Sequence, residues 1–158
     1  PNQMTLARTL SLTVAWLWWG AMVLGDGYYV LTAFQVERPI PTPREGDWMF
    51  PTILLAVAVL IVGWTFLVRW LYKGVLIGRR LAPDSIVSYI LLPLIGGLIW
   101  SPCGAIAIYG LIIFFGNGSF VWFFTFMAVS WALLIIHMPC FLDPRYGTTG
   151  RLLGPSHE

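Results

Sequence analysis

Charged residues are spaced so unevenly along this chain that the gaps between them outline its elements. No Asp, Glu, Lys or Arg occurs in residues 9–25, 48–68 or 85–142, stretches of 17, 21 and 58 positions. About 20 apolar residues in a helix cross a 30 Å hydrocarbon core. The third stretch is too long for one crossing. Gly116-Asn117-Gly118 divides it, because such residues favour a tight turn. The pattern predicts an all-α integral membrane protein: one domain over residues 1–158, with four transmembrane helices near residues 9–34, 48–72, 85–115 and 119–142.

Composition strengthens this picture. The chain is 58% hydrophobic and 10% charged, with a mean hydropathy of +0.80. A soluble domain carries about 25% charge. The net charge of +2 is small and scattered, which excludes nucleic acid as a partner. No run of four or more Lys/Arg marks a polybasic lipid-binding tail. Cys103 and Cys140 fit neither a zinc knuckle nor a redox pair and read as free thiols. The first apolar segment lacks a signal-peptidase site and reads as an anchor.

The distribution of cations sets an orientation. Arg8 precedes the first span; Arg69, Lys73, Arg79 and Arg80 lie between the second and third; Arg145 and Arg151 follow the fourth. The Gly-Asn-Gly turn carries no charge, and Arg38 and Arg44 are outnumbered by Glu37, Glu45 and Asp47. By the positive-inside rule both termini face the cytoplasm, as in a bacterial inner membrane.

Depth can then be assigned to each polar residue at 1.5 Å per residue. Asp26 lies about 25 Å beyond Thr9, near the outer edge of the core, and reads first as an interfacial acid meeting water or headgroups. A functional acid in a proton path or a partner ion pair is the alternative. Arg69 falls at the cytoplasmic edge, where snorkelling explains it. His137 reaches the same level and reads either as interfacial or as lining a quinone or proton site. A bis-histidine haem would need His157, in the tail, at membrane depth as well. No metal site is indicated. Trp16 and Trp19 share a helix face deeper than an aromatic belt requires and would grip a pigment, a lipid or a partner helix; Phe120, Trp122, Phe123, Phe124 and Phe126 form the belt itself.

The third helix carries two further features. Its 31 residues would extend about 46 Å, and Pro93 and Pro102 free the carbonyls of Tyr89 and Leu98. A kink or a short unwound turn is expected across residues 96–105, with the freed carbonyls partnered by Ser101, by water or by a neighbouring helix. Gly97, Ser101 and Gly104 form a small-residue stripe, which serves either internal packing or docking of another subunit.

No nucleotide, hydrolase, metalloprotease or haem-attachment motif occurs, and no two carboxylates share a membrane face. Gly46-Asp47-Trp48-Met49-Phe50-Pro51 opens a stretch, residues 46–70, that resembles the Gly-x-x-x-Phe-Pro entry to the second helix of the small four-helix subunit of tripartite carboxylate transporters. The likeness covers about 25 of 158 residues and is carried by a helix start alone. The sequence therefore points to a non-catalytic accessory subunit of a respiratory, photosynthetic or transport complex, with other membrane subunits and lipids as partners. It would frame a lipid, quinone or pigment site. The alternatives are a subunit of a secondary transporter or channel, and a quinone-linked oxidoreductase subunit using His137 and Arg69.

Overall fold

The computed structural model describes residues 3–36, 49–77, 81–82 and 85–145. The proline-containing segment 37–48, the cations Arg79, Arg80 and Arg151, and His157 lie outside them.

The described residues are helical, with no β-strand among them. The elements are α1 (Gln3–Gln35), α2 (Met49–Trp70), α3 (Ile86–Asn117), α4 (Phe120–Ile136) and the single turn α5 (Pro139–Leu142). A π-helical turn, Leu71–Leu76, continues α2. Two helical stretches, Met49–Leu76 and Ile86–Gly116, are long and apolar enough to cross a bilayer. α1 is longer still but carries Arg8 and Asp26, and α4 is apolar but has 17 residues.

Several boundaries differ from the sequence expectation. α1 is helical from Gln3, ahead of the span expected from residue 9, and includes Arg8, which pairs with Asp143 at 3.2 Å. The fourth helix stops at Ile136 rather than at residue 142. Pro139 cannot continue it, and Met138 before the proline is extended (φ −49°, ψ 146°). α3 is helical through both prolines, without an unwound turn at residues 96–105. Pro102 leaves Leu98 O without its usual donor, and the Trp64 indole of α2 donates to it at 3.3 Å. That bond replaces the missing one, so the helix has no need to open there.

The turn between α3 and α4 sits where Gly116-Asn117-Gly118 places it. Gly118 is left-handed (φ 67°), which suits glycine, and its N–H donates to Phe114 O at 2.8 Å. The Ser119 hydroxyl then accepts from Trp122 N to start α4.

α3 is the hub. α1, α4 and α2 all pack on it, while α1 and α4 meet only slightly. Each outer helix does so through a stripe at heptad-like spacing. α2 buries Pro51, Ala58, Thr65, Val68 and, in the π turn, Tyr72. α4 buries Phe123, Met127, Ser130, Leu134 and His137. α1 buries Ser11, Ala15, Asp26 and Ala33, with Trp19 and Met22 between them in the same register. Trp18 meets Gly97 and Met22 meets Gly104, so α1 runs parallel to α3. Trp64 meets Leu98 and Tyr72 Oη donates to Ser88 O, so α2 runs antiparallel. The short turn makes α4 antiparallel too. The bundle is an up-down array with Arg8, Arg69, Lys73 and Asp143 at one end and Gly118 at the other.

The small-residue stripe is accordingly not a free docking face. A Cβ on Gly97 would stand 3.1 Å from the Trp18 ring, and one on Gly104 would stand 3.2 Å from Met22 Sδ. Both glycines are buried against α1, and of the three stripe residues Ser101 is the exposed one. Their lack of side chains lets α1 approach α3 closely. Gly110 does the same for α4, its missing Cβ lying 3.0 Å from Phe123 O.

Candidate functional site

A helix ends with four carbonyls that have no partner within it. At the end of α4 these carbonyls meet donors from each of the other three long helices. The Trp19 indole of α1 donates to Leu134 O at 2.9 Å, Arg69 of α2 donates to Ile136 O at 2.9 Å, and the Trp100 indole of α3 donates to His137 O at 2.7 Å. His137 adds a bond of its own, its Nδ1 lying 2.9 Å from Leu133 O. Nδ1 is the protonated nitrogen, because a carbonyl can only accept. The His137 ring is fully buried and stands edge-on to Phe66, 5.1 Å between centroids. Its Nε2 is buried with no hydrogen-bond partner. Arg69 also places a cation beside the negative end of the α4 dipole.

Three sequence candidates, Trp19, Arg69 and His137, therefore converge on one collar. Trp19 and Arg69 each donate to an α4 carbonyl from another helix, while His137 bonds within its own turn. Trp16 joins only through its ring, edge-on to Trp19 at 5.3 Å, and is 42% exposed on the outside of α1. His137 lines neither of two grooves formed by described residues, one along α1 from Thr5 to Leu17 and the other at the opposite end beside Phe34 and Phe120. Trp100, the largest fully buried side chain, is the collar member that sequence reasoning missed.

Asp26 requires a correction. It does not meet water or headgroups; it is 1% exposed and faces the interior. The distance along α1 was legible, but depth along a helix says nothing about which side faces its neighbours. Ser130 Oγ of α4 lies 2.6 Å from Asp26 Oδ2 and 2.8 Å from the carbonyl of Cys103, near the middle of α3. The serine hydroxyl has one proton for two oxygen acceptors. The chain Asp26–Ser130–Cys103 is complete only when the carboxyl supplies the second proton and donates to Ser130, which then donates to Cys103 O. The short 2.6 Å separation suits an O–H···O bond. The Cys103 thiol donates separately to Ile99 O at 3.0 Å. Both cysteines are free.

Asp26 and Arg69 do not pair. An ion pair joins Arg8 to Asp143, near the two ends of the chain. Among those residues no three His, Cys, Asp or Glu side chains group to hold a metal ion. The chain matches no protein-family model, no curated protein and no solved structure, so the local likeness of residues 46–70 carries no family assignment.

Proposed function

We propose that this chain is a non-catalytic accessory subunit of a larger membrane assembly, crossing the bilayer four times with both termini in the cytoplasm of a bacterial cell. One observation carries the reading: at the α4 end Trp19, Arg69 and Trp100, from three different helices, each donate to an α4 carbonyl and so tie the helices together. The outward faces support it. Leu17, Leu24, Val59, Leu60, Leu94 and Val121 are among many large apolar residues exposed on the long helices. Such surfaces suit lipid or partner helices, not water. The up-down order and the cations gathered at one end support the orientation.

Native mass spectrometry of the solubilised material should find the chain bound to larger partners in fixed ratio; a lone chain in mild detergent ends the accessory reading. Orientation is tested in a cysteine-free background. A cysteine at Ala82 should label only from the cytoplasm and one at Val36 only from outside, and the reverse pattern would invert the topology.

A second reading has its own observation. Asp26 is an ionisable group held inside the bundle and hydrogen-bonded to another helix, as in proton-conducting subunits. In that reading the Asp26–Ser130 pair carries protons, and flux in reconstituted vesicles depends on Asp26.

A further inference from the structure

The groove along α1 changes character over its length. Thr5, Arg8 and Thr9 line one end; Leu12, Trp16 and Leu17 line the other. Its volume is about 490 Å³. Thr5 to Leu17 spans about 18 Å of helix, close to the 15 Å depth of one leaflet's hydrocarbon. A partner helix crossing the membrane would need a face running its full thickness, and this groove stops halfway. The polar end lies at the cationic end of the bundle, beside Asp143. The Arg8 guanidinium has five N–H donors, of which its Nη2 engages Asp143 at 3.2 Å, and its side chain remains 40% exposed.

We propose that this groove seats one anionic phospholipid of the leaflet on the cationic side. Its phosphate lies on Arg8 and the Thr5 hydroxyl, the Thr9 hydroxyl being bonded to Thr5 O at 2.9 Å, and one acyl chain runs over Leu12, Leu17 and the Trp16 ring. The seat rests on the membrane reading above, and gives Trp16 a role that the collar does not. Asp143 competes with the phosphate for Arg8, so the carboxylate tunes the affinity.

The test uses the full chain, with any partners it retains, in mixed micelles of phosphatidylglycerol and phosphatidylcholine of equal chain length. Bound lipid is read by native mass spectrometry. Phosphatidylglycerol should be retained about fivefold over phosphatidylcholine, the worth of one cation at a membrane surface. Arg8→Gln should abolish that preference, whereas Asp143→Asn should raise it. Both substitutions break the same ion pair, so a merely structural effect moves retention in the same direction for both, and that result overturns the seat. Trp16→Ala should weaken both lipids alike. Equal retention of the two lipids by the unaltered chain also overturns it, as does a cross-link from Thr9→Cys to another protein chain with no lipid bound. Release of the chain from membranes by alkaline carbonate would instead defeat the membrane reading itself.

Discussion

The two buried polar sites of this bundle use hydrogen bonds in different ways. At the collar, neutral indoles and one guanidinium from three helices meet carbonyls that α4 leaves open by ending. Each donor has an acceptor, and no proton needs to be added or removed. At Asp26, 1% exposed, a carboxyl, a hydroxyl and a carbonyl supply one donor too few unless the carboxyl keeps its proton. The three interhelical bonds of the collar depend on no titrating proton. The Asp26 site is sensitive to one proton, so function beyond packing is to be sought there.

The collar should be the costlier of the two to damage. Trp100→Ala removes the largest fully buried side chain and leaves His137 O without a donor. In a soluble core such a change costs about 3–5 kcal/mol. In lipid the water-driven part is absent, because the unfolded reference is also apolar, and packing dominates. A loss of about 3 kcal/mol is expected from unfolding in mixed SDS micelles. Trp100→Phe keeps most of the volume and should lose about 1 kcal/mol, the worth of one interhelical hydrogen bond. If both lose the same amount, the indole N–H rather than packing holds the collar.

Ser130→Ala comes next. It removes the middle of the chain and leaves both the Asp26 carboxyl and Cys103 O without that partner, costing about 2 kcal/mol as buried polar groups go unsatisfied. An unchanged stability would mean that water enters the site and the chain is not closed.

Much of the fold could be read from residue order, and the reason is dimensional. Spacing of charges is a one-dimensional property, and it locates helices, the turn at Gly118 and the end carrying Arg69. Which side of each helix faces inward needs the neighbours. Asp26 stands in register with Ser11, Ala15, Trp19 and Ala33, a stripe visible in the sequence, yet depth alone assigned it to water. The collar was less accessible. Trp19 and Arg69 bond to backbone oxygens, and a carbonyl carries no signature of residue type. His137 drew attention as a titratable side chain, whereas its backbone oxygen takes the Trp100 indole. Gly97 and Gly104 announced a close approach without saying whose; Trp18 and Met22 answer that from within the chain.

Arg69→Met sharpens the comparison from the weak side of the collar. Arg69 is only partly buried, and its bond to Ile136 O lies near the surface. Removing the donor and the dipole interaction should cost about 0.5 kcal/mol, less at high salt. A loss as large as that of Trp100→Ala would make the cation, and not the indoles, the main tie.

Asp26→Asn should change stability least and discriminate most. The amide presents an N–H₂ donor where the protonated carboxyl presents its O–H, so it can donate to Ser130 while Ser130 continues to donate to Cys103 O. With the network preserved, the expected change is below about 0.5 kcal/mol, under the cost of one lost hydrogen bond. A carboxylate in the folded protein would behave differently. Ser130 would then donate to the amide oxygen, the amide N–H₂ would stand where the second carboxylate oxygen was, and a loss of about 1–3 kcal/mol would follow from that unsatisfied donor. Function separates from stability at the same position. A folded Asp26→Asn bundle that still joins its partners and leaves proton flux unchanged places Asp26 with the scaffold. A folded bundle whose flux collapses makes Asp26 the proton-carrying residue, because the amide reproduces its donor but cannot release a proton.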